Sequence, residues 1–138
     1  MRVFISHAYQ DVEIARALAE ALSQHGLEPW LADDCIAPGE NYARVLADGL
    51  ESSQAMAAVL TPWSVSAANI KNELSFALAH RAYTRRVFPI LIGPPGSVAM
   101  GKLPWILEKY PMLQIEDPAK IAQAAAGIAE ALSVAAAA

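Results

Sequence analysis

The side chains of this sequence that could carry out chemistry are few, and they do not form a familiar catalytic set. Cys35 is the single cysteine and has no histidine near it in the sequence, so the base that would activate it as a nucleophile is missing. No Cys/His spacing resembles that of a zinc site, and we expect no metal. We expect His25 and His80 to be structural, whereas His7 could equally contact a substrate or hydrogen-bond within a loop.

The motifs of the common nucleotide-binding enzymes are missing. Residues 6–11 (SHAYQD), after the first predicted strand, lack the glycines of the G-x-G-x-x-G turn that holds a pyrophosphate. The G-x-x-x-x-G-K-[ST] loop is also missing, which excludes a P-loop nucleotidase. A response-regulator receiver needs a carboxylate after its third strand, and residues 59–62 (VLTP) provide none.

The elements that must position a site alternate between strands and helices. A helix is expected to begin at Asp11 as N-cap and to end at Gly26, and others over 40–52, from Pro62 to Tyr83, and after Asp117. This alternation predicts an α/β fold: a flavodoxin-like three-layer sandwich with a five-stranded parallel sheet flanked by helices. The five strands are expected at Val3–Ser6, Glu28–Leu31, Ala55–Leu60, Arg86–Ile92 and Met112–Ile115.

Composition limits the compartment and the partners. The 138 residues are 55% hydrophobic and 17% charged, which predicts one domain with a packed core. The net charge of -4 argues against direct nucleic-acid binding. The longest apolar runs, 55–60 and 87–92, are too short to cross a membrane, and the N-terminus does not resemble a signal peptide. With its one cysteine, the chain is expected in the reducing cytoplasm.

The predicted sheet locates the site. In open parallel sheets, ligands bind beyond the carboxyl ends of the strands, where the strand order reverses. Those ends are expected at residues 6–9, 31–39, 61–66 and 92–96. Catalytic groups should lie in or beside these segments.

Four segments, in order, resemble the motifs of Toll/interleukin-1 receptor (TIR) domains. Residues 3–7 (VFISH) with Asp11 resemble the opening strand motif, box 1. Residues 30–40 (WLADDCIAPGE) resemble the second strand and the BB loop, an acidic stretch closed by Pro-Gly. Residues 61–64 (TPWS), with Glu73 twelve positions after the threonine, are similar to the Ser-Pro…Glu segment of enzymatic members.

The fourth segment, residues 88–91 (FPIL), resembles the Phe-Pro strand of box 3. The resemblance covers residues 1–133 and has the style of bacterial members. We expect the alanine-rich residues 134–138 to be a tail or an artificial end of the chain.

The resemblance implies one of two activities. Many bacterial and plant TIR domains cleave the nicotinamide–ribose bond of NAD+ and give ADP-ribose or a cyclic variant. By this resemblance the chain is an NAD+ nucleosidase that needs no cofactor, acts in anti-phage defence and is activated by oligomerisation. The alternative is a non-catalytic TIR–TIR adaptor or a virulence decoy of host immune signalling.

Glu73 corresponds to the catalytic glutamate of the enzymatic members. Nicotinamide departs as a neutral molecule and needs no proton from the enzyme. One carboxylate that stabilises the ribosyl cation is therefore sufficient. At about 100° per residue, Glu73 lies about 40° from Ala77, on the edge of an apolar arc that also contains Ile70 and Leu74. The alternative is an ordinary solvated glutamate, paired with Lys71 or a later arginine.

One position departs from the family pattern. Enzymatic members often carry an aromatic residue, typically Trp, four positions before the glutamate, and here that residue is Asn69. Trp63 could supply the stacking instead, or could cover a strand end. The residues expected to line the substrate pocket are Ser6, His7, Ala8, Trp30, Asp33, Asp34 and Trp63.

The BB loop, residues 33–39, is the expected interface with other TIR protomers. Pro38 and Gly39 fix its turn, and an exposed Ile36 would dock on the neighbour. The alternative is a plain surface loop. A sensor domain or subunit outside this chain is a further expected partner, and no membrane is expected.

Overall fold

The computed structural model describes residues 1–137, and a five-stranded parallel sheet forms its centre. The strand order is β2-β1-β3-β4-β5, so the chain moves outwards in both directions from β1 and β3. The predicted flavodoxin-like sheet is therefore confirmed. The strands are β1 (Arg2–Ser6), β2 (Glu28–Trp30), β3 (Ala55–Leu60), β4 (Val87–Ile92) and β5 (Leu113–Ile115).

Five α-helices connect or cover the strands, with short 3-10 turns between them. No helix in the described part of the chain is both long enough and apolar enough to cross a membrane. The helices are α1 (Val12–Gln24), α2 (Ala32–Cys35), α3 (Tyr42–Ser52), α4 (Ala68–Ala79) and α5 (Ala122–Ala137). The last residue of the predicted tail at 134–138 lies outside the described residues.

The core has two halves, one on each face of the sheet. Alternate side chains of a strand point to opposite faces, so Val3 and Ile5 pack with α1 and α5, while Phe4 packs with α3 and α4. All six residues of β3 are buried, as expected for a central parallel strand covered by helices on both faces. The three predicted layers are therefore present.

Two predicted segments fold differently. The first part of the predicted BB loop, residues 33–39, belongs to the one-turn helix α2, which is too short for a periodicity to reveal. The helix expected to reach Tyr83 ends at Ala79. His80 then adopts an extended conformation, and Tyr83 is buried with its hydroxyl donating to the carbonyl of Leu50.

The ends of the helices show which capping predictions hold. Gly26 ends α1 with φ +79°, a left-handed conformation that favours glycine. Asp117 caps as predicted, accepting from the Ala119 N–H, but it begins a 3-10 turn that precedes α5. Asp11 occupies the N-cap position of α1 as predicted, but its buried side chain makes no capping hydrogen bond. The cap of α3 is Asn41, which accepts from the Arg44 N–H at 3.2 Å.

Candidate functional site

Glu73 lies at the point where the strand order reverses. β1 and β3 are adjacent, and the chain leaves them towards opposite edges of the sheet. Glu73 projects from α4 to the carboxyl end of β1, where its Oε1 accepts a hydrogen bond from Ser6 Oγ at 2.7 Å. The side chain is only 5% exposed. The alternative of a solvated glutamate paired with Lys71 is therefore wrong.

The sequence of α4 explains this position. Ile70, Leu74 and Ala77 are buried and hold one face of the helix against the sheet. Glu73 lies at the border of that face, as its helical angle predicts. The packing that fixes the helix therefore also fixes the carboxylate.

Burial changes the acidity of this carboxylate. Loss of hydration on burial raises the pKa of Glu73 to about 7. Hydrogen bonds from Ser6 and Asn69 act against this rise, but their effect is smaller. Both protonation states are then populated near neutral pH. A group of this kind can stabilise a neighbouring positive charge when ionised and can exchange a proton at physiological pH.

A cavity of about 270 Å³ opens beside Glu73, between the end of β1 and helices α2, α3 and α4. Its volume is near the lower end of the range for small-molecule pockets. The apolar part of its lining is Phe4, Ile5, Ala32 and Leu46. The polar part is His7, Tyr9, Asp33, Tyr42, Asn69 and Glu73.

His7 connects the end of β1 to α2 across the wall of this cavity. Its Nδ1 lies 2.8 Å from the carbonyl oxygen of Ala8, and its Nε2 lies 3.3 Å from Asp33 Oδ2. Both neighbours are hydrogen-bond acceptors, so the imidazolium form can donate at both positions. His7 thus makes the loop hydrogen bond that the sequence left open, and it also lines the cavity.

Asn69 has a structural role at the position where the family often has an aromatic residue. Its Nδ2 donates to the carbonyl oxygen of His7 at 3.0 Å, which ties the start of α4 to the loop after β1. The benzene-type aromatic residues that line the cavity are Phe4, Tyr9 and Tyr42. Burial raises the pKa of Tyr42, and the negative charges of Glu73 and Asp33 raise it further.

Neither Tyr9 nor Tyr42 was predicted from the sequence to line the site. Tyr9 lies three residues after the end of β1, within a segment that was expected to contribute to the site. Tyr42 is the first residue of α3, just after the Pro38-Gly39 turn. Because helices that follow parallel strands begin near the carboxyl edge of the sheet, their first turns were a usable signal.

Five of the predicted pocket residues lie outside the lining of this cavity, and Ser6, Ala8, Trp30 and Asp34 are four of them. Ala8 is buried and contributes its carbonyl to His7, and Ser6 is buried behind Glu73. Trp30 is a core residue whose ring stacks on Phe4 with centroids 5.0 Å apart. Asp34 points towards Arg16 on α1, with Oδ1 3.9 Å from the guanidinium Nε.

Trp63 is also placed away from the lining, and Asp11 explains why. The indole Nε1 donates to Asp11 Oδ1 at 3.2 Å, while Thr61 Oγ1 donates to Asp11 Oδ2 at 2.8 Å. The carboxylate that was expected to cap α1 therefore joins the end of β3 to the start of α1. The indole remains 62% exposed and does not line the Glu73 cavity.

The BB loop closes in a tight turn. Pro38 and Gly39 occupy its two central positions, Gly39 has φ +88°, and the Glu40 N–H donates to the Ala37 carbonyl at 3.1 Å. The Glu40 side chain also accepts from the Ala37 N–H at 2.7 Å. Pro38 and Gly39 are exposed, but the expectation of an exposed Ile36 is wrong because Ile36 is half-buried against the core on the α3–α4 face.

The described residues offer neither a metal centre nor a clustered cysteine site. No group of three or more His, Cys, Asp or Glu side chains within residues 1–137 is arranged to hold a metal ion. Cys35 is exposed and free.

Comparison with known proteins identifies the family. The TIR domain family model matches residues 3–123. A metazoan TIR-STING receptor from C. gigas, solved in complex with 2',3'-cGAMP, is 23% identical with a TM-score of 0.69; the match covers 89% of this chain. It covers 38% of the receptor, so this chain corresponds to well under half of that protein.

A 2-deoxyribosyltransferase from Bacillus psychrosaccharolyticus has the same general fold. It is 11% identical with a TM-score of 0.58, and the match covers 88% of this chain and 90% of the transferase. A comparison with curated protein sequences finds no match. The match to the family model extends over most of the sequence, and the chain belongs to the TIR domain family.

Proposed function

We propose that this TIR domain is an NAD+ nucleosidase, which breaks the bond between nicotinamide and ribose. The observation that carries the proposal is the buried carboxylate of Glu73 beside a cavity at the switch point of the sheet. When ionised, this carboxylate can stabilise the positive charge that develops on the ribose as neutral nicotinamide departs. One acid is enough because this leaving group needs no proton.

The products follow from what captures the ribosyl cation. Water that adds to C1 gives ADP-ribose and releases a proton, which a carboxylate with a pKa of about 7 can accept. Attack by the adenine of the same molecule gives a cyclic variant instead. No cofactor is required for either outcome.

The residues around the carboxylate have distinct proposed roles. Ser6 orients Glu73 through its 2.7 Å hydrogen bond, and His7 and Asp33 offer polar groups to the ribose hydroxyls. Trp63 lies outside the cavity lining, so it is not included among the contacts within one protomer.

The wider role that we propose is that of an effector in bacterial anti-phage defence, which acts in the cytoplasm and is activated by self-association through the BB loop. The exposed Pro38-Gly39 turn supports the choice of this loop. A reducing compartment suits the exposed free thiol of Cys35. A sensor domain or subunit outside this chain would supply the trigger.

Nicotinamide release from NAD+ tests the proposed activity. The domain is assayed by chromatography at high protein concentration with a crowding agent, beside Glu73→Gln and the matched surface variant Glu51→Gln. We expect release by the wild type and by Glu51→Gln, and at least a hundredfold loss in Glu73→Gln. Equal turnover in the Glu73 and Glu51 variants would refute the catalytic role.

The second candidate function is a non-catalytic TIR–TIR adaptor or a decoy of host immune signalling. The observation that favours it is Asn69, whose amide ties α4 to the loop after β1 where enzymatic members often present an aromatic ring. Under this function, wild type and Glu73→Gln would both lack activity and would both associate with a second TIR domain in size-exclusion chromatography.

A further inference from the structure

The cavity beside Glu73 has an unbalanced charge. Asp33 and Glu73 contribute two carboxylates to its lining, and His7 is the only basic side chain among the ten lining residues. Lysine and arginine are absent from that lining. Whichever form His7 takes, the cavity keeps a net negative charge as long as both carboxylates are ionised.

His7 is already engaged by acceptors of the protein. One ring nitrogen lies 2.8 Å from the Ala8 carbonyl and the other lies 3.3 Å from the Asp33 carboxylate. A phosphate would have to compete with these neighbours for the hydrogen bonds of the ring nitrogens. His7 therefore stabilises the wall of the cavity rather than presenting a free cation to a ligand.

The arginine on α1 next to this region is oriented elsewhere. Arg16 lies 3.9 Å from Asp34 and 3.7 Å from Glu13, on the side of α2 that does not line the cavity. The bidentate cationic contacts that usually hold phosphate groups are thus not provided by the lining side chains.

We propose that this cavity selects its ligand by the positive charge of a pyridinium base, and that the phosphates of a dinucleotide add little to binding by this chain. The choice of ligand rests on the proposed function. The substrate class is then the pyridinium N-ribosides, with nicotinamide riboside as the smallest member. Neutral nucleosides and the reduced, uncharged dihydronicotinamide ring lack the charge that the two carboxylates attract.

The size of the cavity supports the same substrate class. A cavity of about 270 Å³ is near the lower limit for a small-molecule pocket, so a dinucleotide must extend beyond it. Tyr9 and Tyr42 add aromatic surface to the lining, and aromatic side chains bind cations favourably. The base and its ribose are the parts that the cavity can enclose.

A matched pair of ligands tests charge selection without any reaction. Nicotinamide is neutral, and 1-methylnicotinamide has the same ring with a permanent positive charge and no glycosidic bond. NMR titration of the full chain at about pH 8, where Glu73 is mostly ionised, gives both affinities. We expect the cation to bind at least tenfold more tightly, and equal affinities would overturn the proposal.

Variants identify the source of the preference. Asp33→Asn should reduce the ratio of the two affinities at least threefold. Asp48→Asn removes an exposed carboxylate from α3, outside the cavity lining, and should leave the ratio unchanged. Equal ratios in wild type and Asp33→Asn, with both proteins folded, would show that this carboxylate does not select the cation.

The contribution of the phosphates is measured with nicotinamide riboside and NAD+. We expect kcat/KM values within tenfold of each other, and a larger advantage for NAD+ would overturn this part of the proposal. If neither compound releases nicotinamide, the proposed function fails. The same two compounds, being uncleaved, then give binding constants by titration, and the same tenfold limit applies to those.

Discussion

At the scale of single residues, Glu73 combines two conflicting requirements. A carboxylate in an apolar environment is costly when it is ionised, and yet only the ionised form can stabilise a cation. The hydrogen bonds from Ser6 and Asn69 offset only part of that cost, and the pKa of Glu73 still rises to about 7. The ionised carboxylate that the proposed reaction needs therefore lowers the stability of the folded protein.

The first prediction concerns the stability of Glu73→Gln. Below pH 4.5 the carboxyl is protonated in both states; between 4.5 and about 7 the unfolded chain loses its proton while the folded chain keeps it. The contribution of Glu73 to stability therefore falls as the pH rises, and is lost above about pH 7. Because glutamine does not ionise, the variant should be more stable than the wild type at about pH 8, by up to about 3 kcal/mol.

Urea unfolding near pH 4 and near pH 8 measures this difference, with the two proteins expected to be much closer at the acidic pH. Glu51→Gln, on the exposed face of α3, is the matched control and should change little at either pH. A Glu73→Gln effect of the same size at both pH values would contradict the raised pKa.

The second prediction concerns the pH dependence of nicotinamide release. If the ionised form of Glu73 stabilises the cation, kcat/KM should rise about tenfold per pH unit below pH 7 and level off above it. The other titratable groups that line the cavity are His7, Asp33, Tyr9 and Tyr42. Initial rates across this range test the assignment, and a profile that falls with rising pH would contradict it.

At the scale of elements, Gly49 determines how closely α3 approaches the sheet. A Cβ atom at this position would overlap the indole of Trp30, which itself stacks on Phe4 of β1. The glycine thus brings Tyr42 and Leu46, on the same helix, to the wall of the cavity. A residue outside the cavity lining therefore shapes the site through the position of its helix.

The third prediction is that Gly49→Ala destabilises the domain by about 1–3 kcal/mol, because the clash outweighs the gain of up to about 1 kcal/mol in helix propensity. Gly101 is the control, since a Cβ there meets no atom within 4 Å and its φ is not positive. Thermal or urea unfolding of both alanine variants measures the difference. A Gly49→Ala protein as stable as the wild type would show that Trp30 moves aside without cost.

The hydrophobic periodicity and the Gly, Pro and Asp residues at the ends of elements were sufficient to predict the strands and their parallel arrangement. They also predicted the edge of the sheet at which the candidate site lies. The position of Glu73 was also predictable, because its helical angle relative to Ala77 is a local property. The side-chain contact between Asp11 and Trp63 was not predicted, because it joins residues 52 apart in the sequence. Such contacts depend on which strands become neighbours, and local pattern does not contain that information.

At the scale of the whole molecule, the carboxyl edge of the sheet has two turns with the same sequence signature. The BB loop has Pro38-Gly39, and the segment after β4 has Pro95-Gly96, with φ values of +88° and +85° at the glycines. Each turn is closed by a backbone hydrogen bond, Glu40 to Ala37 in one and Ser97 to Pro94 in the other. Both prolines are exposed. The same substitution in each turn therefore shows whether an effect is specific to the BB loop or common to exposed turns at this edge.

The fourth prediction uses this pair to test assembly. The proposed activation by self-association means that specific activity should rise with protein concentration. Pro38→Glu adds a negative charge to a segment that already contains Asp33, Asp34 and Glu40. The new carboxylate would lose its hydration at a contact with a second copy, which weakens the association. We expect the variant to lose at least fivefold of the activity gained at high concentration and to match the wild type when dilute.

Pro95→Glu makes the same change in the other turn and should keep the full dependence on concentration. Sedimentation velocity at the concentrations of the assay should show the corresponding difference in association between the two variants. Unfolding curves show whether both remain folded, since each loses only the conformational restriction of one proline in an exposed turn. Equal loss in both variants would mean that the carboxyl edge as a whole, and not the BB loop, carries the interface.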